Sequence, residues 1–222
     1  MIQQLDKPDP AYVTTEGIRL LQLQLKPDAL RAILAYIDLL LQWPDRARLT
    51  ALNDPIKMAT FHVLDSLAVF KVLAPDHGFR VLDVGTGAGF PGMVMGIADS
   101  RLEVTLMDRD VRKIVFLKYA VKELGVPRVK FLNVALKKLL VSPPETCFDV
   151  IVSRAFSSNP TLLNSLSSLL CTRGSLIRMA GPASLRQEFL LNNFRLAEVW
   201  EGILPFSNRF RRVLRYTLTH GD

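Results

Sequence analysis

Closely spaced glycines form the segment of this sequence whose residue types most directly indicate ligand binding. The segment reads Asp83-Val84-Gly85-Thr86-Gly87-Ala88-Gly89-Phe90-Pro91-Gly92. Glycine permits a tight turn with positive φ and lets a ligand reach backbone atoms. Because Gly87, Gly89 and Gly92 also satisfy the G-x-G-x-x-G pattern of dinucleotide-binding proteins, the spacing alone leaves the nature of the nucleotide ligand open.

Two aspartates near this loop favour one ligand over the other. Asp83 lies two residues before Gly85, at the expected carboxyl end of a strand, and Asp108 closes the next expected strand. A carboxylate at Asp83 would repel a pyrophosphate and attract the ammonium and sulfonium groups of S-adenosylmethionine. Asp108 suits the ribose hydroxyls of either ligand. A purely structural role for Asp83, as a cap of the turn, is the alternative.

Alternating strand and helix patterns must position these residues. After residue 78, short apolar runs alternate with amphipathic stretches, which predicts an α/β fold with a mostly parallel sheet covered on both faces. The last two strands lack an intervening helix and should pair as a hairpin, which gives the seven-stranded, Rossmann-like layout of class I methyltransferases. The predicted strands are 79–84, 103–107, 129–132, 148–153, 175–179, 196–203 and 212–217. The predicted helices between them are 92–98, 110–124, 136–140, 160–170 and 184–193.

The first 75 residues show helical patterns only. Apolar residues recur at helical spacing over 27–43, and Asp54-Pro55 supplies an N-cap and first-turn pair for a second helix that should reach about residue 73. We therefore expect an N-terminal helical extension over residues 1–75 and a ligand-binding α/β domain over residues 76–222.

Composition excludes several classes of protein. The hydrophobic content of 49% argues against disorder, and the net charge of +7 favours polyanionic partners. Two cysteines cannot form a disulfide framework, and the three histidines are too scattered for a metal site. The sequence shows no signal peptide pattern and no apolar run of the ~18 residues that a membrane span needs. A reducing cytosol is therefore the expected compartment.

Several motifs together resemble one family, the RsmG (GidB) methyltransferases. The glycine loop ends in the unusual Phe90-Pro91-Gly92, and the similarity extends over most of the chain. The specific elements beside the loop are His62-Val63-Leu64-Asp65-Ser66-Leu67 upstream and Ser153-Arg154-Ala155-Phe156 downstream. Weaker matches are Trp43, Leu49-Thr50-Ala51, Asp54-Pro55, Leu106-Met107-Asp108, Phe116-Leu117 and Phe148-Asp149.

The resemblance implies a cytoplasmic enzyme that methylates N7 of a guanosine in the 530 loop of 16S rRNA. It implies S-adenosylmethionine as the cofactor, bound by residues 76–222, and 16S rRNA, the 30S subunit or an assembly intermediate as the partner. We expect a monomer that needs neither a metal nor a membrane. The family's cofactor contacts fall on Gly85, Phe90, Leu136, Lys137 and Arg154, and the loop motif adds Asp83, Thr86, Gly87, Gly89 and Asp108.

Methylation at N7 requires no general base, because the attacking lone pair carries no proton. Alignment should supply most of the catalysis, with Arg154 and His62 as positioning residues and Phe90 or Phe156 as a surface on which guanine stacks. Asp65 is expected to orient His62, since the two share a helix face. A structural ion pair for Arg154 and a buried structural histidine are the alternatives. The predicted RNA-binding residues are Arg112, Lys113, Phe156, Arg209, Arg211 and Arg212.

Two other functions remain open on the sequence. Family members usually carry an acidic residue at Lys137, a lysine at Ala180 and an arginine at Val115, so the chain could be a catalytically impaired, ribosome-binding relative. The second alternative is a nicotinamide-dependent oxidoreductase that uses Gly87, Gly89 and Gly92. That reading lacks a Tyr-x-x-x-Lys or comparable hydride-transfer constellation in the sequence.

Overall fold

One seven-stranded sheet organises the chain in the computed structural model, which describes residues 9–44, 49–73, 78–154, 159–180 and 191–219. The strands are Arg80–Val84 (β1), Glu103–Met107 (β2), Val129–Leu132 (β3), Phe148–Arg154 (β4), Leu170–Ala180 (β5), Phe194–Ile203 (β6) and Phe210–Leu218 (β7). Their order in the sheet is β3-β2-β1-β4-β5-β7-β6. All neighbours are parallel except β7, which is antiparallel to β5 and β6. The predicted class I methyltransferase layout and its terminal hairpin are confirmed.

The helices begin and end largely where the sequence carries capping residues. Asp9 accepts a hydrogen bond from the backbone N–H of Tyr12 at 2.6 Å, and Gly125 ends a helix with a left-handed φ of 61°. None of the helices in the described ranges is both long and apolar enough to cross a bilayer. The helices are Pro10–Leu20 (α1), Pro27–Gln42 (α2), Pro55–Met58 (α3), Asp65–Leu67 (α4), Gly92–Ala98 (α5), Val111–Leu124 (α6), Leu136–Val141 (α7) and Pro160–Ser165 (α8).

Two hydrophobic cores lie on opposite faces of the sheet, because neighbouring residues of a strand point to opposite sides. Val81 packs with the N-terminal helices, α5 and α6, whereas Leu82 packs with α7, α8 and the short 3₁₀ helix that follows α8. The N-terminal helices therefore share a core with one face of the sheet. The division between residues 75 and 76 stays a prediction.

The second N-terminal helix is less regular than the sequence predicts. Residues 55–71 continue as one helical rod, but Ala59–Leu64 winds as a π-helix and Ala68–Lys71 as a 3₁₀ helix. π-Helical turns are rare and frequently occur at functional sites. The predicted helix 184–193 lies mostly outside the described residues, and its last residues, 191–193, are not helical.

The two cysteines form a disulfide that composition did not predict. Cys147 immediately precedes β4, and Cys171 is the second residue of β5. Arg80 donates to the Cys171 sulfur at 3.3 Å, and its own position is fixed by Asp149, which accepts from the Arg80 backbone N–H at 2.8 Å. These groups lie at the amino-terminal ends of β1, β4 and β5, away from the glycine loop.

Candidate functional site

The turn between β1 and α5 has the open backbone that the glycine motif predicts. φ is +59° at Gly87, and a Cβ built there would meet no atom closer than the Gly85 carbonyl oxygen at 4.0 Å. At Gly92 a Cβ would come within 2.6 Å of Leu106 and 2.7 Å of Asp83. Gly87 therefore leaves space in which a ligand can reach the backbone, whereas Gly92 lets α5 begin close against the sheet.

The Asp83 side chain accepts hydrogen bonds from two residues of this turn. Its Oδ2 accepts hydrogen bonds from the Thr86 hydroxyl at 2.5 Å and from the Gly92 backbone N–H at 2.8 Å, and the residue is fully buried. Burial raises the pKa of Asp83 to about 6, although these two hydrogen bonds favour the ionised form. Oδ1 has no partner within the described part of the chain. The turn-capping contacts of the structural alternative are thus present.

Asp108 lies at the end of β2 and lines a cavity of about 490 Å³, here called the first cavity. Its Oδ2 accepts from the Gly87 backbone N–H at 3.0 Å and lies 3.4 Å from the Lys113 ammonium. The other lining residues are Gly85, Met107, Arg109, Lys113, Val134, Ala135, Leu136, Lys137 and Leu162. The lining combines apolar side chains and the Asp108 carboxylate with three cationic residues, and its apolar part and carboxylate, beside the open glycine turn, suit a nucleoside.

A second cavity, of about 410 Å³, opens at the same edge of the sheet on the other side of β1. It is formed by the ends of β4 and β5, the start of β7 and the π-helical segment. Its lining residues are Leu52, Phe61, His62, Asp65, Arg154, Met179, Ala180, Arg209 and Arg211. Arg154 is the last residue of β4, and Gly85 is the first residue after β1. Because these two strands are direct neighbours, the two residues lie close together at this edge of the sheet.

Arg154 is held from several sides at the mouth of the second cavity. Its guanidinium donates to the Phe61 carbonyl oxygen at 3.1 Å and lies 3.6 Å from the Asp65 carboxylate. Asp65 also accepts a hydrogen bond from Arg211 at 2.9 Å, and only 4% of its side chain is exposed. Burial raises the pKa of Asp65, but the two guanidinium groups oppose this and favour the carboxylate. One buried carboxylate therefore fixes two arginines.

His62, in the π-helical segment, contacts both Arg154 and Thr50. Its Nδ1 lies 3.3 Å from the Arg154 guanidinium, and its Nε2 lies 2.7 Å from the Thr50 hydroxyl. Nδ1 also lies 3.2 Å from the Phe61 carbonyl oxygen, so this nitrogen faces both a donor and an acceptor, and the Thr50 hydroxyl can accept from or donate to Nε2. Burial and the Arg154 charge lower the pKa of His62 to about 4. The imidazole is therefore neutral at pH 7.

Of the two aromatic residues predicted to stack on guanine, Phe90 is buried. Phe90 is 3% exposed and its ring stacks on His62 with centroids 4.4 Å apart, so no base can stack on it in this conformation. Phe156 lies outside the described residues. Phe61 is half-buried, lines the second cavity and was missed by the sequence reasoning.

The predicted RNA-binding residues occupy different environments. Arg112 pairs with Asp110 at the exposed start of α6, and Lys113 lines the first cavity. Arg211 binds Asp65, Arg212 binds Glu201 on β6, and Arg209 lies over the Phe61 ring.

Two further contacts were not predicted in the form observed. Asp65, expected to orient His62, instead binds two arginines whose positions depend on long-range strand pairing. The Thr50 hydroxyl hydrogen-bonds to His62, twelve residues later in the chain. In the sequence, only the place of Thr50 in the family motif Leu49-Thr50-Ala51 pointed to this residue.

Comparison with known proteins gives a consistent result at the level of sequence. The sequence model of the GidB family, described as rRNA small subunit methyltransferase G, matches residues 29–197. The protein named ribosomal RNA small subunit methyltransferase G of Nitrosococcus oceani is 36% identical over 204 residues, which cover 91% of this chain and 92% of that protein. The protein of the same name from Chromobacterium violaceum is 33% identical and covers 91% and 95%.

Solved structures share the fold at low sequence identity. A SAM-dependent methyltransferase from Aquifex aeolicus superposes with a TM-score of 0.60 at 19% identity, covering 79% of this chain and 99% of that chain. TrmN from Thermus thermophilus superposes with a TM-score of 0.55 at 19% identity, covering 70% and 48%. At these identities the likeness concerns the fold alone.

Proposed function

Because the chain belongs to the GidB family of rRNA small subunit methyltransferases G, we propose that it methylates N7 of a guanosine in the 530 loop of 16S rRNA. The methyl donor is S-adenosylmethionine, and the acceptor is 16S rRNA within the 30S subunit or an assembly intermediate in the cytoplasm. Family membership removes the main ground for the oxidoreductase alternative, since Gly87, Gly89 and Gly92 belong to the loop of a methyltransferase family.

The adjacency of the two cavities is the observation that carries this proposal. Besides its basic residues, the first cavity has the apolar side chains, the carboxylate of Asp108 and the open Gly87 turn that suit an adenosine group. The second cavity has aromatic and basic walls that suit a nucleobase and its phosphate. Both open at the carboxyl edge of the sheet, on neighbouring strands, so a methyl donor in one can face an acceptor in the other.

The residues around the second cavity are suited to alignment rather than to proton transfer. Bound S-adenosylmethionine supplies a methyl group on a positively charged sulfur, and guanine N7 offers a lone pair that carries no proton. His62 is neutral and packs beside Arg154, which Phe61 and Asp65 hold, while Arg154 can donate to guanine O6 and leave N7 free. Alignment of this kind contributes roughly 7–11 kcal/mol in well-oriented reactions.

A second candidate function is favoured by the location of two residues. Lys137 lines the first cavity and Ala180 lines the second, and at these positions the family resemblance implies an acidic residue and a lysine. If both substitutions weaken ligand binding in the cavities that they line, the chain would be a ribosome-binding relative with slow methyl transfer. The double variant Lys137→Glu/Ala180→Lys would then gain activity over the wild type, whereas a competent wild type would gain little.

Labelled methyl transfer to 30S subunits tests the proposal. We expect the wild-type protein to incorporate about one methyl per subunit when the subunits lack the modification, and nucleoside mass spectrometry should identify 7-methylguanosine. Digestion of the labelled rRNA should locate it in the 530 loop. A folded protein that binds S-adenosylmethionine by calorimetry but labels another atom, another region or nothing would contradict it.

A further inference from the structure

The turn between β6 and β7 carries an arginine that differs from its neighbours. Arg211, Arg212 and Arg215 bind Asp65, Glu201 and Glu198 respectively. Arg209 is exposed and contacts no carboxylate within the described ranges, and its guanidinium carbon lies 4.2 Å from the centroid of the Phe61 ring. Among the residues that the structure describes, its charge is thus not compensated by an ion pair, and its guanidinium lies on an aromatic ring that lines the second cavity.

The same turn carries an exposed aromatic side chain. Phe206 is 42% exposed and lies edge to face with Tyr12 of α1, with ring centroids 5.9 Å apart, and Tyr12 is itself 55% exposed. The turn is ordered by hydrogen bonds from the Leu204 N–H to the Arg209 carbonyl and from the Ser207 N–H to the Leu204 carbonyl. Phe61, Arg209, Phe206 and Tyr12 are here called the aromatic rim.

The chemistry of the rim fits unpaired nucleotides. Exposed bases of single-stranded RNA stack on aromatic rings and on arginine guanidinium planes, while an unpaired cation binds the adjacent phosphate. Paired arginines such as Arg212 offer less net charge to a phosphate. Two members of the rim, Phe61 and Arg209, also line the second cavity, and Phe206 lies in the same β6–β7 turn as Arg209. A nucleotide next to one held in that cavity would therefore reach the rim first.

We propose that the aromatic rim is a subsite for an unpaired RNA nucleotide adjacent to the methylated residue. Its base stacks on the Arg209–Phe61 pair and its phosphate contacts the Arg209 guanidinium, while Tyr12 and Phe206 extend the stacking surface to the following nucleotide. This inference rests on the second cavity being the acceptor site of the proposed function.

The experiment compares variants that separate stacking from charge. Arg209→Lys keeps the charge but removes the planar group, Arg209→Gln removes the charge, and Phe61→Leu removes the aromatic face at similar volume. Arg195→Gln is the matched control, because Arg195 is exposed at the opposite end of β6, where it pairs with Thr217. Total methyl incorporation into 30S subunits gives KM and kcat, and thermal unfolding and S-adenosylmethionine binding verify each fold.

We expect Arg209→Lys and Phe61→Leu to raise the KM for 30S subunits about tenfold, with kcat nearly constant, as the loss of one stacked base implies. Arg209→Gln, which also loses the phosphate contact, should raise KM further. Arg195→Gln should leave KM unchanged. A wild-type KM in Arg209→Lys would overturn stacking, and an equal rise in Arg195→Gln would overturn a local site. Total incorporation does not depend on which guanosine or atom is methylated, so a failure of the proposed function would show separately, in the nucleoside analysis. If the wild type transfers no methyl, the same ratios are measured as dissociation constants for 30S subunits.

Discussion

The two cavities at the carboxyl edge of the sheet are built in different ways. The first is formed almost entirely by residues between Gly85 and Lys137, at the carboxyl end of β2 and in the turns that follow β1, β2 and β3. The second joins segments far apart in the chain, and its central ion pair links Asp65 to Arg211 across 146 residues. The first cavity therefore depends on local backbone conformation, and the second on charges that meet only when the whole sheet has formed.

Replacement of the central carboxylate should have the largest effect and should be confined to the second cavity. Asp65→Asn removes the charge that compensates Arg154 and Arg211, and we expect a loss of about 3 kcal/mol in the free energy of unfolding. Denaturant unfolding measures it. Asp54→Asn is the control on the same helical segment, because asparagine caps a helix as well as aspartate does. Comparable losses in both variants would disprove a special role for the buried carboxylate.

Replacement of Gly87 should have the next largest effect and should be confined to the first cavity. Gly87→Val places a β-branched side chain at φ +59° and in the open space of the turn, so we expect roughly hundredfold weaker S-adenosylmethionine binding. Gly125→Val is the matched control, because Gly125 has φ +61° with open space around it but lies at the end of α6. Calorimetry should show normal cofactor affinity in the control, and an equal loss there would attribute the effect to backbone strain.

The acid dependence of stability should report on His62. Its pKa is about 4 in the folded protein against an ordinary value of 6.5, so the unfolded chain binds a proton in this interval and the folded protein does not. Stability contributed by neutral His62 is present above pH 6.5 and is lost as pH falls towards 4, by roughly 1 kcal/mol per pH unit. His62→Asn should lack this component. Parallel stability curves for the two proteins between pH 7 and 4 would contradict the assignment.

The smallest expected effect concerns Thr50, whose hydroxyl hydrogen-bonds to His62. Thr50→Val removes the hydroxyl that hydrogen-bonds His62 Nε2, so this ring nitrogen loses its partner and the imidazole beside Arg154 is held less firmly. We expect kcat/KM for 30S subunits to fall about tenfold, as a 1.4 kcal/mol loss implies. Thr50→Ser keeps the hydroxyl and should restore the wild-type value. A serine variant as impaired as the valine variant would point to packing of the threonine methyl group instead.

The same contrast explains how much of the site could be predicted from the sequence. The β1–α5 turn, the Asp108 position and all seven strands were predictable, because spacing and periodicity encode local structure. The inward orientation of Arg211, the burial of Phe90 beneath His62 and the bond between Cys147 and Cys171 were not. Each depends on which distant elements become neighbours, and no local pattern records that.

The shared core of the N-terminal helices and the sheet has a consequence during synthesis. Val13, Ile33, Ile37 and Leu40 are buried, and the surface that they help to cover includes α5 and α6. The nascent chain presents α1 and α2 first, and α5 and β2 follow only after about 50 more residues, a delay of a few seconds at ordinary translation rates. Until then the part of α2 that packs against α5 and α6 has no partner. We therefore expect holding chaperones to bind the nascent chain until its sheet has formed.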